Sequence, residues 1–299
     1  MEPPPLSKGD LLGIASPAGS FDAVAFKKGI AVLESMGFRV MIPSGVYEKK
    51  GYLAGDDRGR ADQLNRLFAN ADVKGIVCAR GGFGSIRILS LLDYDLIENN
   101  PKAFAGFSDI SALLWALYLK TGLGTFHSPN VTTLPDAPEK TIDAMFSAVS
   151  SKFGRGMALE NGVEIRSGIA SGPLAGGNLT TLCHLAGTPF SPDFGGHILF
   201  LEDIGESQYK IDRALSQMTL AGCFENVSGI ALGSFEGCGP AADIHKLFDE
   251  RFSGHDIPIL AGFETGHGKE NITLAFGAKM SLDTGEKRLF FDERTPGGA

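Results

Sequence analysis

Ser108 stands in Ala105-Gly106-Phe107-Ser108-Asp109-Ile110, between an apolar run that reads as a buried strand and one that reads as a helix. A serine on such a turn presents its hydroxyl at a helix N-terminus, where unpaired N–H groups and the helix dipole favour an oxyanion. That placement suits a nucleophile in acyl transfer. The same residues have a plainer use, because Ser108 or Asp109 would equally cap the helix. The turn also lacks the second glycine of the G-x-S-x-G elbow, so local sequence by itself favours the cap.

Other loops carry groups of matching chemical type. Arg80-Gly81-Gly82-Phe83-Gly84-Ser85 follows an apolar run, and its glycines let backbone amides close on a ligand. It satisfies neither nucleotide-binding glycine motif, and no lysine follows it. Arg80 would hold a substrate carboxylate or pair with an acid. Leu201-Glu202-Asp203-Ile204-Gly205-Glu206 ends a strand with acids that suit either orienting a base or capping the next helix. Strand alternation puts Glu202 and Asp203 on opposite faces, and spacing does not say which one meets a cleft.

Six histidines compete for the role of base. His245 and His255 lie in charged or polar surroundings, His184 lies on an apolar helix, and His197 precedes a strand. His127 and His267 are on strand-following loops. His267, in Glu264-Thr265-Gly266-His267-Gly268, has no local packing to explain it and is the better candidate. A metal site from His127, Glu202 and His267 has no helical histidine pair behind it, so no metal is expected.

The elements that must position these residues alternate. Leu11–Ala15, Phe38–Ile42, Gly75–Ala79 and Ala103–Phe107 read as strands. Asp22–Met36, Arg58–Asn70, Gly84–Leu92 and Ile110–Lys120 read as helices between and after them. Repeated strand–helix units predict a parallel sheet with helices on both faces. After Pro129 comes a helix at Glu139–Ser151 and a polar, glycine-containing run, Gly154–Gly162. Helices then fit Leu179–Ala186, Ser207–Leu220 and Ala241–Phe252, with strands at His197–Leu201, Gly229–Leu232 and Pro258–Ala261. A β-rich tail from Ile272 to Phe291 carries hairpin signals. The expected organisation is α/β in two lobes: 1–135 with the serine, a linker over 136–165, and 166–299 with the acidic and histidine loops.

The 299 residues are 43% hydrophobic and 21% charged, the balance of a globular chain with a sizeable core rather than a disordered one. A formal net charge of −8 disfavours nucleic acid and anionic membranes as partners. The four cysteines, Cys78, Cys183, Cys223 and Cys238, have no zinc-site spacing. Cys78 and Cys183 sit in apolar surroundings and read as free thiols in a reducing compartment. The Met1–Pro5 start lacks a basic leader and no stretch of about 20 apolar residues occurs, so a cytoplasmic protein is expected.

Taken in order, six motifs resemble the LD-carboxypeptidase family of serine peptidases, which includes the microcin C immunity peptidases. They are Gly9-Asp10 with Ala15-Ser16-Pro17-Ala18-Gly19; Ala79-Arg80-Gly81-Gly82-Phe83-Gly84; Gly106-Phe107-Ser108-Asp109; Gly176-Gly177-Asn178-Leu179; Leu201–Glu206 with Asp212-Arg213; and Gly266-His267-Gly268 before Asn271-Ile272-Thr273. The resemblance spans almost the whole chain and reverses the local preference for Ser108 as a cap. It implies a triad of Ser108, Glu202 and His267, without a cofactor or metal. Backbone N–H groups of Gly82 and Asp109 are the candidates for the oxyanion hole, and Arg80, Gly81, Phe83 and Asn178 for substrate contacts. Arg213 is a second candidate for the substrate carboxylate.

The substrate implied by the same resemblance is a cytoplasmic murein tetrapeptide, cut between the L-centre of its third residue and the terminal D-Ala during cell-wall recycling, by a homodimer. Phe83 and Phe107 stand where tyrosine is common in the family, so two hydroxyl contacts are missing. A microcin-type immunity peptidase would need an aromatic platform for a nucleotide base, and the lone Trp115 lies in an apolar helix where core packing is expected. A non-catalytic two-lobed binding protein is the alternative from another class. Release of D-alanine from tetrapeptide discriminates among the three.

Overall fold

The computed structural model describes residues 1–151 and 156–291. It divides into two compact units, Met1–Gly154 with Lys269–Gly277, and Arg155–Gly268 with Ala278–Ala299.

In the first unit the chain runs β1 (Leu11–Ala15), α1 (Ala23–Ser35), β2 (Arg39–Met41), α2 (Asp57–Ala69), β3 (Val73–Cys78), α3 (Tyr94–Glu98), β4 (Ala103–Gly106), α4 (Ser111–Thr121), β5 (Thr125–His127) and α5 (Glu139–Ser150). Asp22 caps α1 by accepting from the N–H groups of Val24 and Ala25, which fixes the start the sequence indicates. β1, β3 and β4 are almost wholly buried, the pattern of central parallel strands. α4 is buried from Ser111 to Leu117, so it runs through the core rather than over its surface.

The second unit holds β6 (Met157–Ala158), β7 (Val163–Arg166), β8 (Ile169–Asn178), α6 (Leu179–Cys183), β9 (Ile198–Ile204), α7 (Gln208–Leu220), β10 (Gly229–Glu236), α8 (Ala241–Arg251) and β11 (Ile259–Ala261). The chain then returns to the first unit for β12 (Leu274–Phe276) and comes back for β13 (Lys279–Asp283) and β14 (Arg288–Phe291).

Among the described residues the first sheet has the order β12-β5-β4-β3-β1-β2, parallel except for β12, which pairs antiparallel with β5. The second has the order β6-β14-β13-β8-β9-β10-β11-β7. Its centre, β8 to β11, is parallel, and its flanks are antiparallel.

Three readings of the sequence are corrected here. Gly84–Leu92 is not an α-helix but two short 3₁₀ turns, Ser85–Arg87 and Leu89–Leu91. Ser85 N–H, at the start of the first turn, donates to the Asp109 carboxylate at 2.8 Å, and Gly84 before it has a φ of +134°. The chain divides differently from the lobes expected at 1–135, 136–165 and 166–299. α5 belongs to the first unit, and so does β12, which lies inside the β-rich tail. Part of the Gly154–Gly162 run, residues 154 and 155, lies outside the described residues. Finally, Ile-Ala-Ser-Gly-Pro-Leu-Ala-Gly-Gly-Asn, which reads as loop in sequence, forms strand β8. Its small residues answer to close packing, since a Cβ on Gly176 would lie 1.9 Å from the Phe200 carbonyl oxygen of β9.

All four cysteines are free and buried. No helix among the described residues is long and apolar enough to cross a membrane.

Candidate active site

In the first unit Ser108 follows β4 and opens a 3₁₀ turn, Ser108–Ile110, that leads into α4. Its φ is +66°, a left-handed backbone conformation that costs a Cβ-bearing residue of order 1–3 kcal/mol. A helix cap needs no such strain, because caps adopt ordinary extended angles, and the cap position of α4 falls on Ile110 rather than Ser108. The turn is held from several sides. The Asn130 side chain brackets Phe107, accepting from its N–H and donating to its carbonyl, both at 3.4 Å.

The glycine loop lies against this turn within the same unit. A Cβ on Gly81 would lie 2.8 Å from Ser108 Cβ and 3.0 Å from its Oγ, so only glycine fits there. Gly81 in turn accepts from Gly19 N–H at 3.0 Å. Arg60, buried on α2, donates to the carbonyls of Pro17 and Gly84 and pairs with Asp57, so one guanidinium fastens two loops. Asp109 fastens the other end through Ser85, and burial pushes its carboxyl above the ordinary range against the pull of those hydrogen bonds. Gly82 has a φ of +98° beside Phe83, whose exposed ring stands 6.0 Å from that of Tyr52. Arg80 lies at the surface and donates to the Ser20 carbonyl. Phe107 is buried, with its ring 6.0 Å from that of His127.

In the second unit Glu202 lies near the end of β9, fully buried, with Oε2 2.7 Å from His267 Nδ1. Gly266 makes room for this pair, because a Cβ there would lie 2.7 Å from both Glu202 Oε2 and Ser234 Oγ. Ser234 on β10 accepts from Gly268 N–H at 3.0 Å and fixes the loop on the far side of the imidazole's own residue. Burial pushes the Glu202 carboxyl above the ordinary carboxylate range, with His267 pulling it back. Burial would lower the imidazole, but the hydrogen bond and charge of Glu202, with the charge of Asp203 behind, carry it above its ordinary value.

The two neighbouring acids therefore divide their work as alternation requires. Glu202 takes His267, whereas Asp203 takes Asn178 Nδ2 at 2.9 Å and both N–H and Oγ1 of Thr180. Asn178 is buried and caps α6, its Oδ1 accepting from Thr181. Glu206 pairs with Lys210, and Arg213 lies over the Tyr209 ring. Among the described residues no group of three or more His, Cys, Asp or Glu side chains is arranged to hold a metal ion.

The structure thus joins Glu202 to His267 and sets Gly81 against Ser108, each within its own unit. Sequence reasoning missed Arg60, Asn130 and Ser234, which touch the site residues or their loops. Nothing in local sequence marks them, since an arginine on a charged helix, an asparagine in a loop and a serine near a strand end are ordinary.

Comparison with known proteins agrees across both units. The LD-carboxypeptidase N-terminal domain model matches residues 12–128, and the LD-carboxypeptidase C-terminal domain model matches residues 171–282. The chain is 35% identical to the Bacillus subtilis "Probable murein peptide carboxypeptidase", over 100% of this chain and 96% of that protein. It is 30% identical to the murein tetrapeptide carboxypeptidase of Pseudomonas aeruginosa, over 91% of this chain and 92% of the relative. A solved structure of the microcin C7 self-immunity protein MccF superposes with a TM-score of 0.90 at 29% identity, covering 98% of each chain.

Proposed function

The chain belongs to the LD-carboxypeptidase family and is a serine carboxypeptidase, and from that premise we propose that it releases the terminal D-Ala from a murein tetrapeptide by means of Ser108, Glu202 and His267. The observation that carries the choice of residues is the 2.7 Å bond from His267 Nδ1 to the buried Glu202 carboxylate. It commits Nδ1 to carrying the proton and leaves Nε2 as the basic nitrogen, the tautomer a general base needs.

In this reading His267 Nε2 takes the Ser108 proton as Oγ attacks the scissile carbonyl. The resulting oxyanion is held by the backbone N–H groups of Gly82 and Asp109, each worth up to about 3–4 kcal/mol of barrier. His267 then gives its proton to the leaving amine of D-Ala, and the peptide remains as an ester on Ser108. Water, deprotonated by the same imidazole, attacks the ester and restores the serine. Arg80, exposed beside the glycine loop, takes the free carboxylate of the D-Ala end. Gly81, Phe83 and Asn178 complete the substrate contacts. The role is cell-wall recycling in the cytoplasm, by a homodimer, with no cofactor.

Purified tetrapeptide and detection of free D-alanine test the reading. Wild type is expected to release it, insensitive to chelators, and Ser108→Ala to lose the activity by a factor on the order of 10⁴ or more. Release by Ser108→Ala would remove the serine from the mechanism. A second reading, cleavage of an aminoacyl-nucleotide, is supported by the TM-score of 0.90 to the microcin C7 self-immunity protein. Turnover of such a nucleotide with none of the tetrapeptide would select it.

A further inference from the structure

Asp203 is a buried carboxylate that the proposed chemistry leaves unused. It is 2% exposed and accepts four hydrogen bonds: from Asn178 Nδ2 at 2.9 Å, Ile204 N–H at 2.9 Å, Thr180 N–H at 3.0 Å and Thr180 Oγ1 at 2.7 Å. All four donors are neutral. They satisfy the carboxylate's oxygens in place of water, and none of them is a cation. It belongs to the residue next to Glu202, which is itself 0% exposed.

Two consecutive buried carboxylates repel each other, and only one of them has an imidazole. The repulsion falls on the pair that can respond by binding a proton, His267 with Glu202. Asn178 adjoins both acids: β8 sets it in register with Glu202, and its amide donates to Asp203. Its Oδ1 is fixed by Thr181 N–H at 3.0 Å and Oγ1 at 2.8 Å, and one N–H is fixed by Asp203, which leaves the plane of its amide no freedom. The Asn178 amide also draws the Glu202 carboxyl down, against the push of burial.

We propose that Asp203 is a positioning residue: next to Glu202 on β9, and clamping the Asn178 side chain that β8 sets in register with Glu202, it holds a second buried anion beside the His267–Glu202 pair and keeps the Glu202 carboxylate in place. The proposal rests on His267 serving as the base. The charges that act on the imidazole are Glu202, in contact with it, and Asp203, on the other face of β9, while Ser234 of β10 holds the His267 loop with a neutral hydroxyl. An extra anion that contacts neither substrate nor imidazole strengthens the base for proton abstraction.

The test reads the imidazole itself. The ring signals of His267 are followed by NMR across pH in the full-length protein, assigned by their loss in His267→Gln. Wild type is compared with Asp203→Asn and with Asp203→Ser, a second neutral variant that does not press an amide NH₂ against the Thr180 N–H. Both are expected to lower the His267 midpoint by about 0.5–1 unit and to move the acid limb of kcat/KM by the same amount. Asp203→Glu, which keeps the charge, is expected to restore much of the shift.

A midpoint that stays at the wild-type value in a folded neutral variant overturns the proposal, as does a loss of rate at every pH without a shift. If neither neutral variant folds, Asp203 is a structural anion and the proposal fails as well. If wild type releases no D-alanine while the midpoint moves, the electrostatic assignment stands and the proposed function falls. The reverse result sinks the assignment alone.

Discussion

A carboxylate taken out of water is costly, and Glu202 recovers part of that cost by accepting from His267 Nδ1 at 2.7 Å. Glu202→Gln keeps the shape but offers His267 either an N–H it cannot use or a weaker acceptor. We expect kcat to fall by about 10²–10⁴ with KM little changed, as steady-state kinetics on the tetrapeptide would reveal. The same variant bears on pH. The folded protein holds the imidazole proton more tightly than the unfolded chain does, because of Glu202. Its contribution to stability is therefore complete below the unfolded imidazole's range and is lost as pH rises through the higher folded value. Activity has the opposite slope, rising as that proton leaves, so its acid limb sits above the ordinary imidazole range in wild type and moves to lower pH in Glu202→Gln. Of the residues involved, His267 was legible because flanking glycines leave a histidine without packing. The choice between Glu202 and Asp203 was not, since alternation separates two acids without naming the face. Phe83 and Phe107 likewise differ only in structure, the first exposed and the second buried.

At the scale of elements, short turns hold the chemistry in place. The Ser108 turn and the glycine loop meet so closely that the Cβ of Gly81→Ala would lie 2.8 Å from Ser108 Cβ and 3.2 Å from the Phe107 carbonyl oxygen. One of the two backbones has to shift, and a displacement near 1 Å at a nucleophile costs about 10²-fold in rate. We expect that loss in kcat. Gly254→Ala, where nothing lies within 4 Å, should leave both kcat and denaturation midpoint close to wild type. Equal kcat in Gly81→Ala and wild type would mean the loop is slack. Helices α1, α2, α4, α7 and α8 were legible because apolar spacing and caps are local signals. β8 was not, because a strand packed on backbone needs small residues where the usual signal needs branched ones. The helix expected at Gly84–Leu92 gives way to two 3₁₀ turns, and the contact that holds the first, Ser85 N–H to Asp109, spans twenty-four positions that no local signal covers.

At the scale of the molecule, the chain leaves its first unit, builds most of the second, and then returns for one strand. That strand reads in sequence like the rest of the tail, because Leu274-Ala275-Phe276 says only that it is apolar and nothing about which sheet it joins. Its place is decided by long-range partners: Leu274 opposite His127, Phe276 opposite Thr125, and Thr273 Oγ1 2.9 Å from Ser128 Oγ. The first sheet therefore needs residues that lie after His267 in the chain. Residues 1–151 expressed alone would leave β5 as an open, buried-type edge, which invites pairing with other copies. We expect this chain to aggregate, or to melt well below the same chain with residues 269–277 appended on a flexible glycine–serine linker. Size-exclusion chromatography and thermal melts compare the two, and equal melting with both monomeric would mean that β12 adds nothing to the sheet. If the appended strand restores the fold, the first unit carries Ser108 on a complete sheet yet lacks Glu202 and His267, so it should bind tetrapeptide, if at all, without releasing D-alanine.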